Sequence, residues 1–172
     1  NDGSSISDRF SYEDVPEEEV KKLAKKVIPL LFKVNCASVI LPILGWFYAT
    51  AYNSRLMIDP GQFPILFVWG SFGSGKSSLL RNIFWALSGV KEQSEPYSCT
   101  DTTFAIKNRF AATNGCPIFM DEHKPRDMKG KAEQLHRFLR RLYAGEAEEW
   151  GQKDGTTITK KLIAPVCVAG ES

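Results

Sequence analysis

The sequence predicts an α/β chain in which a mostly parallel central sheet is flanked by helices and preceded by a small N-terminal helical segment. Three stretches predict it. Residues 66–84, LFVWGSFGSGKSSLLRNIF, pass from an apolar strand through a glycine-rich turn into an amphipathic helix. Residues 116–122, CPIFMDE, are an apolar run ending in two acids, as in a buried parallel strand whose carboxyl end carries polar groups. Residues 162–169 form a second apolar run, despite Pro165, and lead into Gly170-Glu171-Ser172.

Composition sets the outer bounds. With 172 residues, 43% hydrophobic and 24% charged, the chain can bury one substantial core and is not a disordered tail. A net charge of +2 does not announce nucleic acid, although a local basic surface fits inside it. Cys36, Cys99, Cys116 and Cys167 are widely spaced and form no Cys-x-x-Cys pair, and His123 and His136 are the only histidines. That pattern disfavours a zinc site and suits reduced, buried thiols in an intracellular, cytoplasmic protein. The sequence opens NDGSS without Met and stops at VCVAGES directly after a strand-like run, so a piece of a longer chain is expected. Its start lacks the pattern of a signal peptide.

The expected organisation is an N-terminal polar tail and helical segment over residues 1–58, packed on a core over 59–172. Residues 1–12 are polar and expected to fray. Asp14-Val15-Pro16-Glu17 reads as a capping box with Pro in the first turn, opening a helix in which Glu17 with Lys21 and Glu18 with Lys22 are i, i+4 pairs. Pro29 should kink or end that helix. Residues 34–52, VNCASVILPILGWFYATAY, are uncharged and long enough to cross a bilayer of about 30 Å. Asn35, Ser38, Pro42 and Gly45 within them favour a buried helix at about 35–53 instead, so no membrane is expected. DPGQFP at 59–64 is a turn into the next strand.

The glycine-rich turn carries the chemistry. Gly70, Gly75, Lys76 and Ser77 fit G-x-x-x-x-G-K-[ST], the phosphate-binding P-loop, behind the apolar run 65–69. Glycines let backbone N–H groups turn inward around a polyphosphate, which assigns Gly70, Ser71, Phe72, Gly73, Ser74, Gly75, Lys76, Ser77 and Ser78 to nucleotide binding. Lys76 would neutralise the β- and γ-phosphates, and Ser77 offers a hydroxyl to Mg²⁺. Leu79, Leu80, Ile83, Phe84 and Leu87 form the face of the following helix that must pack on the sheet.

Downstream, a short strand near 97–100 and a helix from about Thr102 to Thr113, capped by Asp101 or Thr102 and ended at Asn114-Gly115, precede PIFMDE. Its two acids have separate tasks: Asp121 as a Mg²⁺ ligand, usually through water, and Glu122 as the group that polarises an attacking water. One strand and one helix between the motifs, with Glu122, favour the additional-strand, catalytic-glutamate branch of P-loop ATPases over kinases and small GTPases. KAEQLHRFLRRLYAGE is an amphipathic helix with Leu135, Phe138, Leu139 and Leu142 on one face and Arg137, Arg140 and Arg141 around the other. Those arginines are either solvated surface or, for Arg140 or Arg141, a finger reaching the ATP of a neighbouring subunit. Lys153-Asp154-Gly155 is a hairpin turn between two extended segments.

P-loop, PIFMDE, an arginine-bearing helix, a basic hairpin and a strand with a polar end, in that order, resemble the superfamily 3 helicases and their primase-associated viral and plasmid relatives over about residues 35–172. The resemblance implies an AAA+-like P-loop NTPase fold with ATP and Mg²⁺ as cofactors. It further implies a homo-oligomeric ring, expected to be a hexamer, that acts on single-stranded DNA and is associated with a primase domain or protein. It implies that Lys153 sits at a hairpin tip facing DNA, where Lys160 and Lys161 could follow the phosphate backbone and Trp150 could stack, although a hairpin with lysines is also an ordinary solvated loop, and that Glu171 and Ser172 are γ-phosphate sensor candidates. The helicases usually have Asn at the sensor, where this chain has Gly-Glu-Ser. A GE ending is similar to a helicase-like ATPase family attached to primases in mobile elements.

Three functions are expected to compete. The first is an ATP-driven ring-forming DNA motor or helicase of a virus, phage or plasmid. The second is a regulatory ATPase whose nucleotide state switches protein assembly without acting on DNA. The third, a small-molecule kinase, is disfavoured because a kinase must keep water away from the place Glu122 would activate it.

Overall fold

Residues 118–120 and 166–169 have no polar side to turn toward water, so they must lie inside a sheet covered on both faces. The computed structural model, which describes residues 6–59, 61–91, 94–151 and 155–171, has this arrangement. The helices are α1 (Glu17–Val34), α2 (Ala37–Thr50), α3 (Asn53–Leu56), α4 (Lys76–Leu79), α5 (Thr103–Phe110) and α6 (Lys131–Tyr143). The strands are β1 (Leu66–Trp69), β2 (Tyr97–Ser98), β3 (Ile118–His123), β4 (Ala147–Gly151), β5 (Thr157–Lys161) and β6 (Val166–Gly170). Four strands form one parallel sheet in the order β1-β6-β3-β2, and β4 and β5 pair as a separate antiparallel hairpin.

Period-two alternation splits the core between the two faces of the sheet. Ile118, Met120, Val166 and Val168 face α5 and α6, where they meet Ile106, Phe110, Leu135, Phe138, Leu139 and Leu142. Phe119, Cys167 and Ala169 face the other way, toward Ile40, Ile43, Trp46, Leu80, Phe84 and Trp85. The four α6 residues expected from helical spacing are all buried, each worth about 1.5–3 kcal/mol relative to exposure. The helix after the glycine turn differs from a plain α-helix, because α4 runs straight into a π-helical segment, Leu80–Trp85. The wider turn lets the adjacent Phe84 and Trp85 both point inward, and the Trp85 indole donates to Pro117 O at 3.2 Å. Leu87, expected on that packed face, is 55% exposed beyond the widened turn.

The N-terminal segment departs from expectation in five places. α1 begins at Glu17 behind Pro16 with no side-chain cap, so Asp14 caps nothing, and the helix continues through Pro29 to Val34. Lys21 pairs with Glu17 at 2.8 Å and with Glu18 at 3.4 Å, which leaves Glu18 turned toward Lys21 rather than Lys22. Residues 6–11 are docked: Phe10 bridges to Val90, Ser11 N donates to Gly89 O at 2.8 Å, and the Arg9 guanidinium lies 4.1 Å over the Tyr97 ring. Gly89 at φ 82° is required there, since a Cβ would stand 2.7 Å from Ser11 O. α2 is shorter than expected and is anchored by the Trp46 indole, which donates to Pro64 O at 2.7 Å. Just beyond it, the fully buried Asn53 amide donates to Asn114 O at 2.7 Å and Ile163 O at 2.6 Å. Among the described residues no helix is long and apolar enough to cross a membrane.

Cysteine burial is uneven. Cys99 and Cys167 are buried, but Cys36 is exposed ahead of α2. Burial first, with Asp121, Glu122 and Asp101 nearby, pushes the Cys99 thiol up to about 12, and burial also raises that of Cys167. Both are inert as nucleophiles.

Candidate functional site

β1 ends at Trp69, and residues 70–75 turn back before Lys76 opens α4. The turn needs backbone that only glycine adopts freely: Gly73 has φ 73° and Gly75 φ 81°. At Gly70 the constraint is space, because a Cβ would stand 2.9 Å from Ser74 Oγ. Lys76 Nζ donates to the carbonyls of Gly70 at 2.9 Å and Ser71 at 2.8 Å, and to Ser74 Oγ at 3.4 Å. Its ammonium is thereby held across the loop's own backbone.

The acids stand across from this loop because β3 is irregular at its carboxyl end. Met120 pairs with Val168 and His123 with Gly170, so β3 carries one residue more than β6 over that interval, a bulge that re-aims the side chains within it. Glu122 takes up the distortion at φ 64°, a left-handed conformation uncommon for a residue with a side chain. Its N–H is bonded to Asp121 Oδ1 at 2.8 Å. Asp121 is half-buried and Glu122 exposed. Both line one cleft of ≈ 340 Å³ with residues 72–78, Lys124, Gly170 and Glu171, a volume at the small end for ligand pockets, about 300–1,000 Å³. The lining combines loop backbone, the loop lysine Lys76, the Ser77 hydroxyl and the Asp121 carboxylate. It fits a polyphosphate and a hard divalent cation.

No protein-family model matches the chain, and no curated protein matches it. A solved chain described as "SCCmec type IV Cch - active helicase" superposes on 99% of this chain with a TM-score of 0.55 and 14% identity. This chain spans 31% of that chain's length. At that identity the likeness is one of fold: a mixed α/β unit with a mostly parallel sheet flanked by helices.

The sheet end also holds Lys124 and His123, to which the sequence assigned no role in the site. Glu171, a sensor candidate, lines the cleft, but its Oε1 is 2.5 Å from Lys124 Nζ and its N–H donates to His123 O at 3.1 Å. Lys124 follows the acids directly in DEHK, the signal that a cation shares their strand end. The Glu171 carboxylate holds the Lys124 ammonium above the usual lysine range. Beneath them His123 is buried against Trp69, with its Nε2 3.0 Å from His136 Nε2 on α6. Gly170 leaves no room for a Cβ, which would stand 2.5 Å from the Trp69 ring and 2.8 Å from His123 O.

The arginine and hairpin candidates lie elsewhere. Arg141 joins α6 to β4: it pairs with Glu146 at 3.0 Å, ion-pairs with Glu148 and donates to Ala147 O at 2.5 Å. Arg140 is exposed, and among the described residues nothing holds its side chain. Lys160 and Lys161 are exposed on β5. Trp150, expected to stack on a base, is 8% exposed instead, because on β4 it alternates with outward Glu149 and Gly151 and points into the core. Lys107 and Lys160 cover its ring at 5.2 and 5.8 Å. Lys153 and Ser172 lie outside the described residues.

Proposed function

We propose that the chain is a Mg-ATP-binding and hydrolysing P-loop ATPase of AAA+-like fold, the motor unit of an oligomeric DNA helicase or translocase serving the replication of a virus, phage or plasmid. One observation carries the reading. Lys76 and Ser77, behind a glycine loop at the end of β1, share a single cleft with Asp121 and Glu122 at the end of β3, and β6 lies between the two strands. The solved chain it resembles in fold is described as an active helicase, which agrees with this reading.

In this reading the amides of residues 70–75 bind the polyphosphate. Lys76 exchanges the Gly70 and Ser71 carbonyls for β- and γ-phosphate oxygens. Ser77 and Asp121 are the groups that would hold Mg²⁺, which would supply positive charge to offset that on the phosphates. Glu122 orients water and accepts its proton at a carboxylate oxygen. Arg140 is the better finger candidate toward a neighbouring subunit of a ring, since Arg141 would have to leave three acceptors. Single-stranded DNA would run along Lys160 and Lys161, with Lys153 as a further candidate contact. A hexamer and an attached primase belong to the same proposal.

The test is phosphate release from Mg-ATP by the native-length protein, with and without single-stranded DNA, at low and moderate salt. Stimulation by DNA that weakens as salt rises is expected. Absence of turnover under all conditions would refute the proposal.

A second reading, a nucleotide-switched assembly ATPase, is favoured by one feature. An apolar groove of ≈ 670 Å³ runs between α1, α2 and the helix behind the loop, lined by Leu23, Val27, Phe47, Phe84 and Leu87 among others. It predicts nucleotide-dependent oligomers and turnover indifferent to DNA.

A further inference from the structure

An acid at the end of β6 is out of place in a cleft that takes a polyphosphate. Three carboxylates, Asp121, Glu122 and Glu171, and two lysines, Lys76 and Lys124, line that cleft. Asp121 and Glu122 have tasks in the chemistry that justify a negative charge there. Glu171 has none, and unscreened it would repel an incoming phosphate.

Its surroundings resolve the conflict. Glu171 is fixed at the backbone by its bond to His123 O and at the side chain by Lys124, 2.5 Å away. Its side chain is 18% exposed, while that of Lys124 is 38% exposed and so keeps access to the cleft. The Lys124 Nζ is 5.9 Å from the centroid of Phe72, a residue of the glycine loop. The ammonium therefore stands between the end of β6 and the loop, on the segment that also carries Glu122. An ammonium has three N–H donors, so it can keep Glu171 and still donate to a phosphate oxygen. An ion pair on open surface would carry no such meaning. This one is built from two sheet neighbours at the rim of one cleft.

We propose that Lys124 is a second phosphate-binding lysine, aimed by Glu171, that contacts the terminal phosphate of ATP and so makes the cleft discriminate ATP from ADP. The inference rests on the reading of the cleft as an ATP site. It assigns the terminal phosphate because Lys124 follows Glu122, the water activator, by two residues, whereas Lys76 belongs to the loop itself. Glu171 is then a positioning residue rather than a direct sensor. The pair does the work that a neutral polar residue at the end of β6 would otherwise do.

Calorimetric titration with Mg-ATPγS and with Mg-ADP tests it, using wild type, Lys124→Met, Lys124→Arg and Glu171→Gln. A charge-assisted hydrogen bond is worth roughly ten- to hundredfold in affinity. Lys124→Met is expected to lose about that factor for ATPγS and to keep its ADP affinity. Lys124→Arg should restore most of it, and Glu171→Gln should lose part of it, again for ATPγS alone. Equal losses for both nucleotides, or none, in Lys124→Met would overturn the inference while leaving the cleft assignment standing. A wild-type protein that binds neither nucleotide would overturn the cleft assignment, and this inference with it.

Discussion

Glu122 is where stability and catalysis should separate. Its φ of 64° is a left-handed conformation that costs a residue with a Cβ about 1–2 kcal/mol. Glu122→Gly removes that cost, but the freer unfolded chain takes back roughly 0.4–1 kcal/mol. The net gain is about 0–1.6 kcal/mol, which in a domain of this size raises Tm by up to about 6 °C. Glu122→Gln keeps the Cβ, and with it the strain, so its Tm should match wild type. Both variants should still bind Mg-ATP, and both should lose about 10²–10⁴ in hydrolysis, the range for a positioned general base. Thermal unfolding, nucleotide titration and phosphate release read the three quantities separately. A glycine variant that melts several degrees below wild type would refute the claim of strain. A glutamine variant that hydrolyses ATP like wild type would refute the catalytic role.

Other expectations follow from the same strand end and from the hairpin. Gly170→Ala drives a Cβ toward the Trp69 ring and His123 O; the ring can swing but the backbone carbonyl cannot, so about 1–3 kcal/mol should be lost, and an unchanged Tm would contradict the packing. Burial, with His136 beside it, holds the His123 imidazole below its usual 6.5. The unfolded chain then takes up a proton that the folded chain refuses, so this stability is complete above about pH 6.5 and is lost as pH falls through the folded value. Tm should decline as pH falls below about 6.5, with a shallower slope in His123→Asn, and equal slopes would remove His123 from the explanation. Arg141→Ala should cost about 1–2 kcal/mol, less than a fully buried pair because Lys107 still neutralises Glu148 at 2.6 Å. Arg140→Ala should leave Tm unchanged and lower turnover in the assembled protein; a matching loss of Tm would make Arg140 structural.

The loop, the acids and the core face of α6 were legible because each is a local pattern. A glycine spacing, an apolar run ending in acids and a 3.6-residue repeat need no knowledge of what lies opposite. The interposition of β6 between β1 and β3 was not spelled out by any spacing, since the strand between the motifs, β2, lies at the sheet edge beyond β3. Lys124 and Glu171 meet only because β3 and β6 are neighbours, which no segment reports by itself. Trp150 shows the opposite case: once β4 is a strand, alternation with Glu149 and Gly151 turns it inward, and the likeness to a DNA-facing hairpin overrode that local rule. Pro29 removes one backbone bond without ending α1, because Leu31 beyond it is buried and holds the next turn. Phe10 and Arg9 dock a segment whose polar composition reads as frayed, through partners at Val90 and Tyr97 far along the chain.

The central claim is that this cleft binds Mg-ATP through Lys76, and equilibrium titration of Mg-ATP into wild type and Lys76→Ala tests it without depending on neighbours, DNA or turnover. Saturable one-site binding by wild type and its loss in a folded Lys76→Ala is the predicted result. No binding by wild type, or equal binding by the two proteins, would contradict it.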